Sequence, residues 1–324
     1  MALLRSTSGP IDLVLQGGGI KAIGLAGGMN ALADRGIPIR RIAGASGGAI
    51  VAGLTAAGYS PGELRRIIET EPFPELLDTR WYSRLPLVGT PIAIFWRMGL
   101  HPGIRVQERL TELLSANGVE TFGDLRDGGE VAPLQVVISD VTARRLLLFP
   151  RDATLFGINP DDLGVALALR MSASIPVVYE PVRLNHARDN TEHLLVDGGM
   201  LSNFPLWVFD RTADAETQVI GLRLVDDQPG DSLAERLPVS SLARTRLGQL
   251  IDYVENLART MMEAHDRRYL DAGDIGRTIQ IPTLGVGTTE FDLSPARIEE
   301  LFLAGEAAVN RAIDGGQSSI LPES

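Results

Sequence analysis

The sequence predicts an α/β fold in which a central, mainly parallel sheet is covered by helices on both faces. Compact apolar runs alternate with helical patterns along the chain, and this alternation is typical of βα units. Strands are predicted at residues 11–15, 41–43, 134–140, 145–149, 177–184, 193–196, 219–225 and 278–282. Helices are predicted at residues 22–35, 49–57, 60–70, 105–116, 163–174, 240–270 and 295–313. The first two strands each run into a glycine-rich turn that begins a helix.

Length and composition narrow the possible functions. We expect one α/β domain spanning residues 1–324, with the chemical motifs in 11–206 and a helical and strand completion in 225–324. A net charge of −11 argues against a nucleic-acid partner. The chain has no cysteine, which excludes disulfides and a thiol nucleophile. Without a signal-peptide core or an apolar run of ~20 residues, the sequence predicts a cytoplasmic protein with no membrane span.

The pentapeptide Gly44-Ala45-Ser46-Gly47-Gly48 matches G-x-S-x-G and lies between a predicted strand and a helix. In a nucleophile elbow this sharp turn lifts the serine Oγ above the sheet. We therefore predict Ser46 as the nucleophile. Gly44 and Gly48 are expected because a Cβ two residues before or after the serine would clash where strand and helix meet. A tight strand-to-helix connection is the alternative interpretation of the pentapeptide alone.

The loop Gln16-Gly17-Gly18-Gly19-Ile20-Lys21-Ala22 follows the first strand and presents backbone N–H groups to an anion. A dinucleotide pyrophosphate fits Gly17-x-Gly19-x-x-Ala22, but the second strand lacks the acidic residue that would hold the ribose. A P-loop requires Gly-Lys-Ser/Thr, which is absent at Lys21. The third candidate is the oxyanion of a tetrahedral intermediate. Because the ends of neighbouring parallel strands share one crevice, this loop and the serine elbow should meet.

A serine hydroxyl needs an adjacent base. None of the four histidines, His101, His186, His193 and His265, follows the last predicted strand, where an α/β-hydrolase places its catalytic histidine. His186 and His193 bracket a polar, turn-like segment and are expected at the surface. Asp197 closes an apolar strand and precedes two glycines, so a raised pKa would let it take the serine proton directly. An Asx turn is the competing interpretation of Asp-Gly.

Three motifs together carry a family resemblance: Gly17-Gly18-Gly19-Ile20-Lys21, the Ser46 pentapeptide and Asp197-Gly198-Gly199. They resemble the patatin-like phospholipase family, whose patterns are G-G-G-x-[RK]-G, G-x-S-x-G and D-G-[GA]. Residues 170–176 and 197–205 are similar to the family as well. One departure is Ala22, which stands where the family has Gly, and we expect a tighter loop rather than a lost oxyanion hole.

The resemblance implies a three-layer sandwich related to the α/β-hydrolases and the hydrolysis of fatty-acyl esters without metal or cofactor. It also implies a Ser46–Asp197 dyad, an oxyanion hole made by Gly17, Gly18 and Gly19, and supporting positions at Lys21, Gly198 and Gly199. Two alternatives remain open at this point. An acyltransferase would use the same acyl-enzyme, whereas a non-catalytic nucleotide- or lipid-binding module would keep its function after Ser46→Ala.

Residues 72–102 are the candidate lid or lipid-facing segment, because Trp, Phe and aliphatic residues are frequent in 80–100. An irregular segment packed on the core is the alternative. Arg80, Arg84 and Arg97 would supply a local basic patch for peripheral membrane contact, which the overall negative charge disfavours.

Overall fold

The structure is a computed structural model that describes residues 9–78, 97–126, 133–210, 217–226 and 276–315, together with Leu257, Thr260 and Asp274. The strands are β1 Ile11–Leu15, β2 Ile39–Gly44, β3 Gly99–His101, β4 Leu134–Asp140, β5 Arg145–Phe149, β6 Val177–Tyr179, β7 Val182–Asn185, β8 Glu192–Asp197, β9 Gln218–Val225 and β10 Thr278–Pro282. The described α-helices are α1 Ile23–Asp34, α2 Ser46–Ala56, α3 Pro61–Thr70, α4 Ile104–Ala116, α5 Val165–Ser172 and α6 Pro295–Asp314.

The central sheet has eight strands in the order β10-β9-β1-β2-β4-β8-β7, with β5 paired to β4. Strands β10, β9, β1, β2 and β4 are all parallel to one another. Strands β5 and β8 each run antiparallel to β4, and β7 runs antiparallel to β8. The prediction of an α/β fold with a mainly parallel central sheet is therefore confirmed.

The two faces of the sheet are packed differently. Leu13 and Leu15 of β1 join the main core cluster, which includes buried residues from all six described helices. Val14, between them, joins a smaller cluster with Phe204 and Phe209 on the opposite face. Alternate residues of a strand point to opposite faces, so β1 is buried on both sides, as a parallel strand requires. The helix predicted at 240–270 lies outside the described residues, except that Leu257 and Thr260 are helical.

The single strand predicted at 177–184 is wrong, because the structure divides it into β6 and β7. Strand β6 pairs with β3 in a separate two-stranded parallel sheet, whereas β7 lies at the edge of the central sheet. Pro181 stands between them and has no backbone N–H to donate to a continuing ladder. The apolar pattern of the sequence continues past Pro181, but the backbone hydrogen bonds of one strand do not.

The segment predicted as a lid lies largely outside the described residues, which omit 79–96. Its described flanks are held together by Asp78, whose carboxylate accepts hydrogen bonds from the backbone N–H groups of Gly103 (2.7 Å) and Ile104 (2.9 Å) at the start of α4. In addition, the carbonyl oxygen of Asp78 lies 2.8 Å from His101 Nδ1. Within the described ranges, no helix is both long and apolar enough to cross a bilayer.

Candidate active site

Strand β4 brings the serine elbow and Asp197 together. One edge of β4 pairs with β5 from Val136 onward, so β2 and β8 must share the other edge. On that edge Gly44, at the end of β2, lies opposite Val136, and Asp197, at the end of β8, lies opposite Ile138. The two strands run in opposite directions, so their carboxyl ends face each other along β4 with only Val137 between their partners.

The turn at Ser46 has the strained backbone of a nucleophile elbow. Ser46 has φ of 52°, in the left-handed region that non-glycine residues rarely adopt, and it begins α2. A Cβ on Gly44 would lie 2.6 Å from the carbonyl carbon of Gly48, and one on Gly48 would lie 2.4 Å from the Gln16 carbonyl oxygen. The predicted clash of strand and helix is therefore confirmed at Gly44, whereas Gly48 packs against the backbone at the end of β1.

Ser46 and Asp197 are in direct contact. Ser46 Oγ donates a hydrogen bond of 2.6 Å to Asp197 Oδ2, and the two residues are 1% and 0% exposed. The other carboxylate oxygen, Oδ1, accepts from Gly199 N–H at 2.8 Å, which is an Asx turn. The two interpretations of Asp197 thus coexist, because one oxygen shapes the turn and the other faces the serine.

Burial raises the pKa of Asp197 from 3.8 to about 7, although the hydrogen bonds from Ser46 and Gly199 act to lower it. Desolvation disfavours the charged carboxylate, and it is the largest effect here. A carboxylate with a pKa near neutral can accept a proton from a neighbouring hydroxyl at physiological pH.

Two further serines hold the backbone of this pair, and the sequence reasoning did not assign them. Ser46 N–H donates to Ser172 Oγ at 2.9 Å, and Ser172 Oγ donates in turn to the Val137 carbonyl at 2.7 Å. Asp197 N–H donates to the Ser174 carbonyl at 3.0 Å. The last residue of α5 and the turn that follows it therefore position both residues, and their only signal in the sequence was the family resemblance of 170–176.

Arg170 anchors this turn from within the protein, where it is 3% exposed. Its guanidinium donates to the carbonyl oxygens of Gly103 (2.9 Å), Pro102 (2.7 Å) and Glu180 (2.9 Å) and also to Ser174 Oγ. A buried guanidinium with this many acceptors is satisfied, so it fixes the segments that it joins.

Asn203 holds the glycine loop at Gly17. Gly17 N–H donates to the Asn203 carbonyl at 2.9 Å, and Asn203 Nδ2 donates back to the Gly17 carbonyl at 3.2 Å. Asn203 Oδ1 occupies the space of a side chain on Gly17, 2.2 Å from where its Cβ would be. Among the described residues, the N–H groups of Gly18 and Gly19 have no hydrogen-bond partner.

The glycine loop and the serine elbow meet, as the parallel strand order predicts. The position of a Cβ on Gly17 would be 3.1 Å from Ser46 Cβ, and a Cβ on Gly47 would be 2.4 Å from the Gly19 carbonyl oxygen. Gly19 has φ of 55°, and a Cβ there would be 2.1 Å from the Thr288 carbonyl oxygen. Neither Gly47 nor Gly19 therefore has room for a side chain.

Lys21 and Ala22 end the short 3₁₀ turn that follows the glycine loop. Lys21 Nζ lies 3.4 Å from Asp226 Oδ1, which ties the loop to the end of β9. Ala22 has φ of −59°, an ordinary right-handed conformation in which a methyl group causes no strain. The Ala that departs from the family pattern is therefore compatible with the backbone of this loop.

Gly198 packs against β4, the strand that lies between the serine elbow and Asp197. A Cβ there would be 2.1 Å from the Val137 carbonyl oxygen, so no larger residue fits. In addition, Ser139 Oγ donates to the Gly198 carbonyl at 3.3 Å. These contacts hold the start of the turn that follows Asp197.

The described histidines make their contacts away from Ser46. The expectation that His193 is a surface residue is wrong, since it is 7% exposed and its Nδ1 lies 2.7 Å from Asp140 Oδ2. His186 stacks on it, with ring centroids 5.2 Å apart. The polar segment between the two histidines forms only a short turn, which brings the His186 ring onto the His193 ring. His265 lies outside the described residues.

A family model for patatin-like phospholipases matches residues 13–210, which include the glycine loop, the serine elbow and Asp197. The chain belongs to the patatin-like phospholipase family. The uncharacterized protein YqhO of Bacillus subtilis is 36% identical over 285 residues, covering 88% of this chain and 91% of the relative. A protein of Invertebrate iridescent virus 6 named "Probable lipid hydrolase 463L" is 25% identical over 198 residues, which cover 60% of this chain and 61% of the viral protein.

The fold of this family member is also similar to a solved structure. The crystal structure of VipD from Legionella pneumophila superimposes with a TM-score of 0.57 and 19% sequence identity. The match covers 95% of this chain and 67% of VipD. At this identity the likeness supports the patatin-like fold.

Proposed function

We propose that the protein is a serine acyl hydrolase that cleaves fatty-acyl esters of lipids through an acyl-enzyme on Ser46. The observation that carries the proposal is the buried hydrogen bond of 2.6 Å between Ser46 Oγ and Asp197 Oδ2. Family membership supports the lipid substrate, as does the name of the viral relative. The Ser–Asp dyad acts without histidine in this proposal.

In the acylation step, the ionised Asp197 takes the proton of Ser46 as Oγ attacks the ester carbonyl. The carbonyl oxygen becomes an oxyanion, which the N–H groups of Gly18 and Gly19, unpaired among the described residues, would stabilise. Gly17 shapes the loop instead, because its own N–H is bound to Asn203. The intermediate then collapses, and Asp197 gives its proton to the leaving alcohol. Removing one donor from such a site typically costs about 3–4 kcal/mol of transition-state stabilisation.

In the deacylation step, Asp197 takes a proton from a water molecule that attacks the acyl carbonyl. The same N–H groups would hold the second oxyanion. When this intermediate collapses, Ser46 Oγ leaves and recovers its proton from Asp197, and the fatty acid departs. The N-terminus of α2, which begins at Ser46, adds a favourable partial positive charge beside both oxyanions.

The proposal is tested with a fluorophosphonate label and a panel of lipid esters. Wild type should be labelled and should release fatty acid, whereas Ser46→Ala should do neither. Asp197→Asn should lose hydrolysis. Unchanged hydrolysis by Ser46→Ala would show that Ser46 is not the nucleophile. The glycine loop would then be interpreted as a non-catalytic anion site. Adding an alcohol to the panel distinguishes an acyltransferase, which would form a new ester in preference to free fatty acid.

A further inference from the structure

The helical layer contains an apolar cavity of about 120 Å³. It lies between α1, α2, α3 and α4, and its walls include Ala26, Ile50, Leu54, Leu64, Val106 and Leu110. Two lining residues are charged, Glu71 and Arg109, and Arg109 Nε donates to Glu71 at 2.9 Å. The other described lining residues are apolar, so the described part of the wall presents one ion pair and otherwise carbon atoms to a ligand.

The cavity lies beside the two helices that begin at the candidate active site. Helix α1 follows the glycine loop, and α2 begins at Ser46. Ile50 and Leu54 are four residues apart and therefore share one face of α2, and Ile50 is about one helical turn beyond Ser46. With a rise of 1.5 Å per residue, the cavity wall at Ile50 is about 6 Å along the helix axis from Ser46.

We propose that this cavity holds the alkyl chain of the acyl group while it is attached to Ser46, and that it sets the preference for acyl-chain length. The inference rests on the proposed function, since it places the chain of that acyl-enzyme. A polar head group would lose its hydrogen bonds to water in such a site, whereas an alkyl chain has none to lose and gains free energy by leaving water. The Glu71–Arg109 pair is already satisfied internally, so it favours no charged ligand.

The size of the cavity limits the chain. An apolar cavity of ~150 Å³ holds a benzene ring, so this slightly smaller one has room for about five or six carbons. The first carbons of the acyl group would span the single helical turn between Ser46 and Ile50. The value of kcat/KM should therefore increase by about fourfold for each added methylene that enters the cavity. The increase should stop at medium chain length, near the octanoyl or decanoyl ester.

The test measures kcat/KM for nitrophenyl esters from acetate to palmitate in three variants. Val106→Phe fills the cavity from α4, and Leu64→Ala enlarges it from α3. Leu301→Ala removes an equally buried leucine in α6, away from the cavity, and controls for loss of stability. Val106→Phe should shift the optimum to shorter esters, while Leu64→Ala should shift the optimum to longer ones. Leu301→Ala should keep the wild-type profile.

The possible outcomes separate the two proposals. If wild type hydrolyses no ester and fluorophosphonate does not label Ser46, the proposed function fails. If wild type is labelled and hydrolyses acetate, but both cavity variants keep its chain-length profile, the cavity proposal alone is overturned. Should Val106→Phe fail to fold by circular dichroism, the direction of the shift in Leu64→Ala decides.

Discussion

Asp197→Asn should abolish ester hydrolysis and at the same time stabilise the fold. Asn has nearly the same shape as Asp but carries no charge. Its Nδ2 can donate to Ser46 Oγ, and its Oδ1 can still accept from Gly199 N–H, so the geometry of the turn is kept. What disappears is the cost of holding a carboxylate that is 0% exposed.

The size of the effect follows from the pKa of Asp197. In the unfolded chain the carboxyl loses its proton near its ordinary pKa of 3.8, but in the folded protein it keeps the proton until about 7. Between these pH values the folded state binds more protons, so the free energy of unfolding decreases as the pH rises. A pKa difference of about 3 corresponds to at most about 4 kcal/mol, reached above neutral pH.

Urea unfolding of wild type and Asp197→Asn at a series of pH values measures this difference. The variant should be a few kcal/mol more stable at pH values above about 7, and the advantage should vanish near pH 4. A variant that is less stable than wild type under alkaline conditions would refute the reasoning, because it would show that the ionised carboxylate stabilises the fold.

Asp12→Asn is the matched control. Burial alone would raise the pKa of Asp12, but hydrogen bonds and charge from Arg41 and Arg40 outweigh it and lower the pKa. This carboxylate therefore stabilises the fold above its ordinary pKa, and its contribution is lost as the pH falls. Asp12→Asn removes the charged acceptor of two partly exposed guanidinium groups, so it should lose about 1.5–3 kcal/mol at neutral pH, opposite in sign to Asp197→Asn.

Three further outcomes are expected. The value of kcat/KM should rise with pH along a single ionisation near 7, since only ionised Asp197 accepts the Ser46 proton; a profile that is flat from pH 5 to 9 would contradict this. Ser172→Ala should lower kcat by about 10- to 100-fold with little change in KM, because the buried Ser46 N–H loses its acceptor; unchanged kcat would remove Ser172 from the positioning network. Gly19→Ala should abolish hydrolysis, because its Cβ would lie 2.1 Å from a backbone oxygen; Gly36→Ala, also at positive φ but with nothing within 4 Å, should only lower stability and thus controls for backbone strain.

The local features of the site could be predicted from the sequence because they depend on short-range sterics. The need for glycine at Gly44 follows from the close approach of a strand and the helix that it enters, whereas Gly48, predicted for the same reason, packs against the end of β1. The meeting of the glycine loop with Ser46 follows from the parallel pairing of β1 and β2. Each inference needed only the neighbouring residues and the general geometry of parallel sheets.

Other features could not be predicted, because they depend on contacts between distant parts of the chain. The end-to-end placement of β2 and β8 on one edge of β4 requires β8 to run antiparallel, and no periodicity shows strand direction. Ser172 contacts Ser46 across 126 positions, and Asn203 contacts Gly17 across 186. The burial of His193 depends in the same way on Asp140, which lies on another strand.

The central claim is that Ser46 carries the acyl group, and the most direct test is to trap that intermediate. Protein mixed with nitrophenyl octanoate is quenched in acid within the first turnover and digested, and the peptides are analysed by mass spectrometry. We expect an octanoyl group on Ser46, and none in Ser46→Ala. Complete turnover with no acylated peptide, or an acyl group on another residue, would contradict it.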